Sequence, residues 1–269
     1  MTETPRPNRG GGRARVARMI VRVALAVAVI APLLAGAAVI GRILEVMPLQ
    51  TAYRVLLDWA PAAASVGVLG GVPALLVSFF ARPRWWIALG AAALLLPLTV
   101  LVATAGLKAQ RTVNPPVHEV ATDWSEPLVF SERVLALRGP GSAPVQANPS
   151  LEQPWGPSGG AIRENWGAQR VSDLNRLTCP AARPVPRMVR QDVVQRVLEE
   201  QGLILVGAAP WRVEGTARSP WLHVYSDVAV RMRPERTDVR VTGREPGGDL
   251  GESCRLAARL LRALDEASR

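Results

Sequence analysis

Three long stretches of the chain carry no ionisable side chain: residues 23–41 (VALAVAVIAPLLAGAAVIG), 59–81 and 85–107. Each is about as long as a helix needs to be to cross a ~30 Å hydrocarbon layer. The second contains Pro61, Gly70, Gly71 and Pro73. A bend is expected there, because proline removes a backbone donor and crowds the preceding turn. Past residue 108 the pattern changes. Segments such as NPPVHEV, RGPGSAPVQANPS and QPWGPSGG mark a loop region over 108–186. Alternation at 117–122 suggests an edge strand within it, and Trp124, Phe130, Trp155 and Trp166 suggest loops that pack down rather than trail.

Regular elements return over 187–269. Val189, Val193, Val194, Val197 and Leu198 share one helical face, and Gly202 stands where that helix should stop. Residues 203–206 form a short apolar run. Residues 211–217, 227–233 and 237–242 alternate with period two, as half-buried strands do. Val228, Val230 and Met232 must share a face with Val239 and Val241, so paired numbers in a hairpin must sum to an odd value. Asp238 therefore faces Arg231 or Arg233 across a connection at 234–236, and either pairing sets opposite charges side by side. Leu256, Leu260, Leu261 and Leu264 stripe a final helix. Asp249 is placed to cap it, with Glu252 as the returning half of a capping box.

These elements predict a three-helix α-helical membrane anchor (23–41, 59–81, 85–107) behind a basic tail (1–22), followed by a small α+β domain. Its core is an antiparallel sheet packed by two helices. Charge refines the picture. The first 107 residues hold 10 arginines and three acids, net +7, while the rest holds 22 lysines and arginines against 19 acids, net +3. The excess sits in the tail RPNRGGGRARVARMIVR, not on the folded part, which excludes a nucleic-acid-binding domain. Basic residues stay cytoplasmic, so the tail and the Arg82-Pro83-Arg84 turn belong inside. Three crossings then put the C-terminal domain outside, with the bilayer as its first partner. Trp59, Trp85 and Trp86 sit at run ends like interfacial anchors. A competing reading makes the first run a cleaved export signal with Ala35-Gly36-Ala37 as the cleavage site, although the run is longer than a usual signal core.

No Asp, Glu, Lys, Arg or His lies inside the three runs, where ionisable groups would mark a transport pathway. Only Ser65, Ser78, Thr99 and Thr104 carry hydroxyls, so an anchoring bundle is the simpler reading. In the outer domain, Arg212, Glu214, Asp227, Arg231, Asp238 and Arg240 gather on the polar sheet face. Two readings stand: a surface binding an anionic ligand through bidentate arginines, or a face of cross-strand ion pairs covered by loops. His118 and His223 are the only histidines available for general-base work, and no nucleophile-elbow context surrounds Ser226 and Asp227. No metal-ligand spacing and no phosphate loop are present, so no metal or cofactor is expected. Cys179 and Cys254 both lie outside the membrane on this topology. An oxidising compartment would permit them to pair, and a free buried Cys254 is the other reading.

Three segments carry a family resemblance. VHEVATDWSEPLVF (117–130), WRVEGTARSPWLHVYSDVAVRMRP (211–234) and DVRVTGREPGGDLG (238–251) resemble the bacterial domain-of-unknown-function family numbered 1499 over about residues 114–264. The matching positions are His118, Thr122, Asp123, Pro127, Phe130, Glu214, Thr216, Asp227, Arg231, Asp238, Arg240, Arg244, Asp249, Leu250 and Gly251. Departures are Ser226 for an acid, Pro246 for a glycine, Val241 and Gly243 for serines, Ser253 for an asparagine, and an insertion over 134–166. The resemblance implies an envelope location and supplies no catalytic residue. The expectation is a multi-pass protein of the bacterial cytoplasmic membrane, its N-terminus cytoplasmic and its outer domain binding an anionic ligand or an envelope protein. The alternative is an envelope hydrolase using the polar face. Ligand and oligomeric state stay open.

Overall fold

A computed structural model describes residues 9–113, 117–139, 141–149, 169–220, 222–245 and 249–269. The expected contributions of Trp155 and Trp166 and of the glycine turn at 246–248 lie outside these residues. The chain divides into two compact units, Met1–Ala109 and Gln110–Arg269.

The first unit holds three helices long and apolar enough to cross a membrane: Gly12–Ile43, Leu49–Ser78 and Trp85–Ala109. The first is built from α1 (Arg9–Ala28) and α2 (Ile30–Ile43). Their junction at Val29 lies one turn before Pro32, which has no N–H to give the Ala28 carbonyl. The second starts earlier than the apolar run suggested. α3 (Leu49–Arg54) leads through a π turn at Val55–Trp59 into α4 (Ala60–Ser78). Ala60 N–H reaches back five residues to the Val55 carbonyl, a wide turn that accommodates the Pro61 ring behind it. The third is α5 (Trp85–Val113).

Small residues let these helices approach. Ala60, Ala64, Gly67, Gly71, Ala74 and Ser78 recur at intervals of four and three along α4, and all are buried. A Cβ on Gly71 would stand 2.7 Å from the Ala93 carbonyl oxygen of α5. That carbonyl has lost its usual helical donor, because residue 97 is proline. The side chains facing away from this seam (Leu33, Leu69, Leu76, Val102) are apolar and exposed, the inverse of a water-soluble bundle and compatible with a multi-pass membrane protein. Ser65, Ser78, Thr99 and Thr104 each donate to a carbonyl of their own helix.

The second unit is built on a five-stranded antiparallel sheet. Its strands are β1 (Glu119–Ala121), β2 (Ile204–Ala209), β3 (Arg212–Arg218), β4 (Tyr225–Arg233) and β5 (Arg236–Gly243), in the order β1-β5-β4-β3-β2. Arg231 faces Asp238, and Arg233 faces Arg236. The hairpin connection is thus the two residues Pro234 and Glu235, with Arg236 already in the strand. Val213, Val228, Val230, Val239 and Val241 make the apolar face. Helices α8 (Gln191–Glu200) and α9 (Glu252–Ala267) cover it with Val194, Leu198, Leu256, Leu260 and Leu264. Residues 117–139, 141–149 and 169–178 join this unit too: β1 pairs with β5, and α6 (Glu132–Arg138) and α7 (Val171–Thr178) pack nearby. Cys179, just past α7, is bonded to Cys254 in the first turn of α9.

The start of α9 differs from the capping box. Glu252 does not reach back. Gly251, at φ 82°, is the helix-boundary residue, and Glu252 pairs instead with Arg255. Asp249 nonetheless caps from two residues further out. Its carboxylate accepts the N–H groups of Gly251, Glu252 and Ser253 at 2.9, 3.1 and 2.8 Å. The left-handed Gly251 turns the chain so that one carboxylate meets three donors.

Candidate functional site

Alternation sends the odd-numbered residues of β4 and the even-numbered residues of β3 and β5 to the side opposite the core. All six candidate residues, Arg212, Glu214, Asp227, Arg231, Asp238 and Arg240, share that side. The structure brings them together under a roof formed by residues 122–139 and 141–149. Leu128, Phe130 and Val134 of the roof pack on Ala229 of β4.

Each carboxylate on this face is met from within the protein. Arg240, 1% exposed, donates through Nε to Glu119 of β1 at 2.5 Å and through Nη1 to the Leu128 carbonyl at 2.5 Å. Its third nitrogen donates to the Gln146 carbonyl, and the guanidinium lies against the rings of Trp124 and Phe130. Asp227, fully buried, accepts from Arg138 of α6 at 2.8 Å, from Arg244 at 2.7 Å and from Thr216 at 2.9 Å. Asp238, also fully buried, pairs with Arg231 at 3.2 Å and Arg236 at 3.3 Å. Glu214 accepts the Ser131 N–H at 2.8 Å, and Arg212 donates to the Val129 carbonyl at 3.1 Å. The sheet face and its roof are therefore stitched together by arginine–carboxylate and arginine–carbonyl contacts.

Electrostatics follow from this burial. Desolvation pushes the Glu119 carboxyl above its ordinary range, opposed by the charge and hydrogen bond of Arg240 and by Thr242. Desolvation also lowers Arg138, with Asp227 pulling it back. His118 is brought down to about 4, first by burial and then by the Arg138 charge. The Ser253 hydroxyl donates to the His118 main-chain carbonyl at 3.1 Å, which is not the ring contact that activates a nucleophile. His223 lies beside Arg218 at 2.5 Å, in a left-handed conformation at φ 48°. Among the described residues no group of three or more His, Cys, Asp or Glu side chains converges as metal ligands would.

An open space among the described residues lies elsewhere. A cleft of about 680 Å³ sits between the loop following β1, α7 and the segment after α7, with Cys179 in its wall. Thr122, Asp123, Trp124, Asn148, Asn175 and Arg183 line it. Several of these groups are committed. For Asp123, burial raises the carboxyl, but hydrogen bonds from Ser125 and the Glu126 N–H, with the charge of Arg236, outweigh it and hold it below its usual range. Asn148 pairs with Ser172, accepting its N–H at 3.2 Å. Among the described residues two of the lining groups are not committed: the Trp124 Nε1–H and the Asn175 Oδ1 are buried without a hydrogen-bond partner. Asn175 spends its amide donors on the Glu119 and Val171 carbonyls, which fixes its oxygen as the spare acceptor. Sequence reasoning missed this cleft. Its walls come from segments some fifty residues apart, and no local periodicity records their meeting. Trp124 was noted only as a packing aromatic.

No family model, curated protein or solved structure matches the chain. The positions on which the sequence resemblance rests can be located in the structure. Asp123, Asp227, Arg231, Asp238, Arg240 and Arg244 belong to the ion-pair lattice, and Asp249 is the helix cap.

Proposed function

We propose that the chain is a membrane-anchored bacterial envelope protein whose α+β domain lies on the extracytoplasmic side of the cytoplasmic membrane and acts as a binding module. The observation that carries this reading is the Cys179–Cys254 bond in a domain that follows three bilayer-length helices. Such bonds persist outside the reducing cytosol. The charge pattern supports the same orientation. Arg22 of α1 lies over Trp86 at 5.3 Å, so the arginine-rich start of the first helix and the Arg82–Arg84 turn share one end of the helical unit. The resemblance to family 1499 adds an envelope setting to the proposal. The hydrolase alternative draws no support from the polar face, whose carboxylates are held by arginines beneath the roof.

A C-terminal alkaline phosphatase fusion tests the orientation, because that enzyme folds only after export. Active phosphatase is expected from intact cells. A silent phosphatase paired with a fluorescent cytoplasmic reporter at the same position overturns the reading.

A further inference from the structure

The cleft beside the disulfide carries groups that the fold leaves unused. A buried donor or acceptor without a partner is unfavourable, and here one of each, Trp124 Nε1–H and Asn175 Oδ1, belongs to the same wall. Asn175 is only 3% exposed. A third lining group, the Arg183 guanidinium, makes no hydrogen bond or ion pair among the described residues. At the rim, Arg176 pairs with Asp173, itself half exposed. Among the described lining residues the one carboxylate, Asp123, is already held by Arg231 and Arg236. The uncompensated charge on the described wall is therefore positive.

The volume, about 680 Å³, is far beyond the ~30 Å³ share of one water and falls in the ~300–1,000 Å³ range of small-ligand pockets. The donor set discriminates among anions. A phosphate wants several converging N–H groups or a free helix start. Near the start of α7 the Ser172 N–H is taken by Asn148. A single uncommitted guanidinium fork fits a planar carboxylate instead. The spare indole donor and amide acceptor suit a neutral oxygen and a hydroxyl or amide N–H on the same molecule.

We propose that this cleft binds a carboxylated sugar, with Arg183 on the carboxylate, Trp124 Nε1–H donating to a ring or carbonyl oxygen, and Asn175 Oδ1 accepting from a hydroxyl or amide. This deepens the binding-module reading and rests on it for the ligand's source: an extracytoplasmic cleft meets envelope glycan, whereas a free sugar acid would reach it as a solute. The test is calorimetry on the full-length protein in detergent, titrated with N-acetylmuramic acid, glucuronic acid and N-acetylglucosamine, beside co-sedimentation with wall glycan stripped of its stem peptides, which frees the muramyl carboxylates. N-acetylmuramic acid is expected to bind with a Kd of roughly 1 mM or tighter, and N-acetylglucosamine, which lacks the carboxylate, at least about tenfold more weakly. Arg183→Gln is expected to weaken binding about tenfold without moving the melting temperature, and Trp124→Phe severalfold. Co-sedimentation together with saccharide binding assigns the polymer as the source, and saccharide binding alone assigns the free acid. No heat from either carboxylated sugar up to roughly 10 mM, or equal affinity in both variants, overturns the site. Because detergent removes sidedness, a failed phosphatase fusion with intact binding sinks the location and spares the cleft; the converse result spares the location.

Discussion

Arg240 shows what the polar residues of the sheet are for. A guanidinium 1% exposed survives burial only because Glu119, two main-chain carbonyls and two aromatic rings surround it. Arg240→Ala should lower stability by about 3–5 kcal/mol, since Glu119 would be left buried and unpaired. Thermal unfolding of the detergent-solubilised protein measures this, and Glu119→Gln combined with Arg240→Met should recover part of the loss. His118 gives a pH signature. Its pKa falls from 6.5 unfolded to about 4 folded, so below pH 6.5 the unfolded chain takes up a proton that the folded one refuses. Its stabilising contribution is complete above 6.5 and is lost as pH falls toward 4, by at most roughly 3 kcal/mol. Glu119 and Asp249, whose carboxyls are raised by burial, act in the opposite sense in the carboxylate range. The His118 share is therefore the difference in melting temperature between the native protein and His118→Asn across pH 4–7, expected to narrow as pH falls.

Two element-level features make separate predictions. Asp249→Ala strips three N–H groups at the start of α9 of their acceptor and should cost about 1–2 kcal/mol, with Asp249→Asn intermediate. In the helical unit, Gly71→Ala places a methyl 2.7 Å from the α5 backbone, so α4 and α5 must separate. The expected loss is about 1–3 kcal/mol, read as a lower melting temperature by far-ultraviolet circular dichroism. The strands, the two covering helices and the parity that sets Asp238 opposite Arg231 or Arg233 were legible because period and parity are local and fix which side chains share a face; the choice of Arg231 comes from the two-residue turn. Distant partners were not. Nothing near Arg138, in a proline- and glycine-rich segment, announces a contact with Asp227, eighty-nine residues on. The π turn escaped notice because the charged Asp58 broke the apolar run, although the helix carries it through. The Asp249 cap was visible as a residue type, but its geometry depends on the left-handed Gly251, which composition does not reveal.

At the scale of the whole chain, the Cys179–Cys254 bond closes a loop with a sequence separation of 75 residues and ties the cleft wall to the core helix α9. Loop-closure entropy for such a ring corresponds to about 4 kcal/mol as an upper figure. Reduction is expected to lower the melting temperature of the second unit and to weaken any ligand held beside Cys179. Melting curves with and without a phosphine reductant measure the first effect, and saccharide titration of the reduced protein measures the second.

The pairing of β1 with β5 also has a consequence for biosynthesis. The segment of the outer unit that emerges first must wait about 120 residues for its neighbour in the sheet, and Glu119 reaches Arg240 only then. A ribosome delivering this chain thus releases an acid-bearing strand long before its counter-ion exists. Loop closure over such a span slows assembly. A nascent chain halted before residue 236 should stay protease-sensitive however much of its sequence has already emerged.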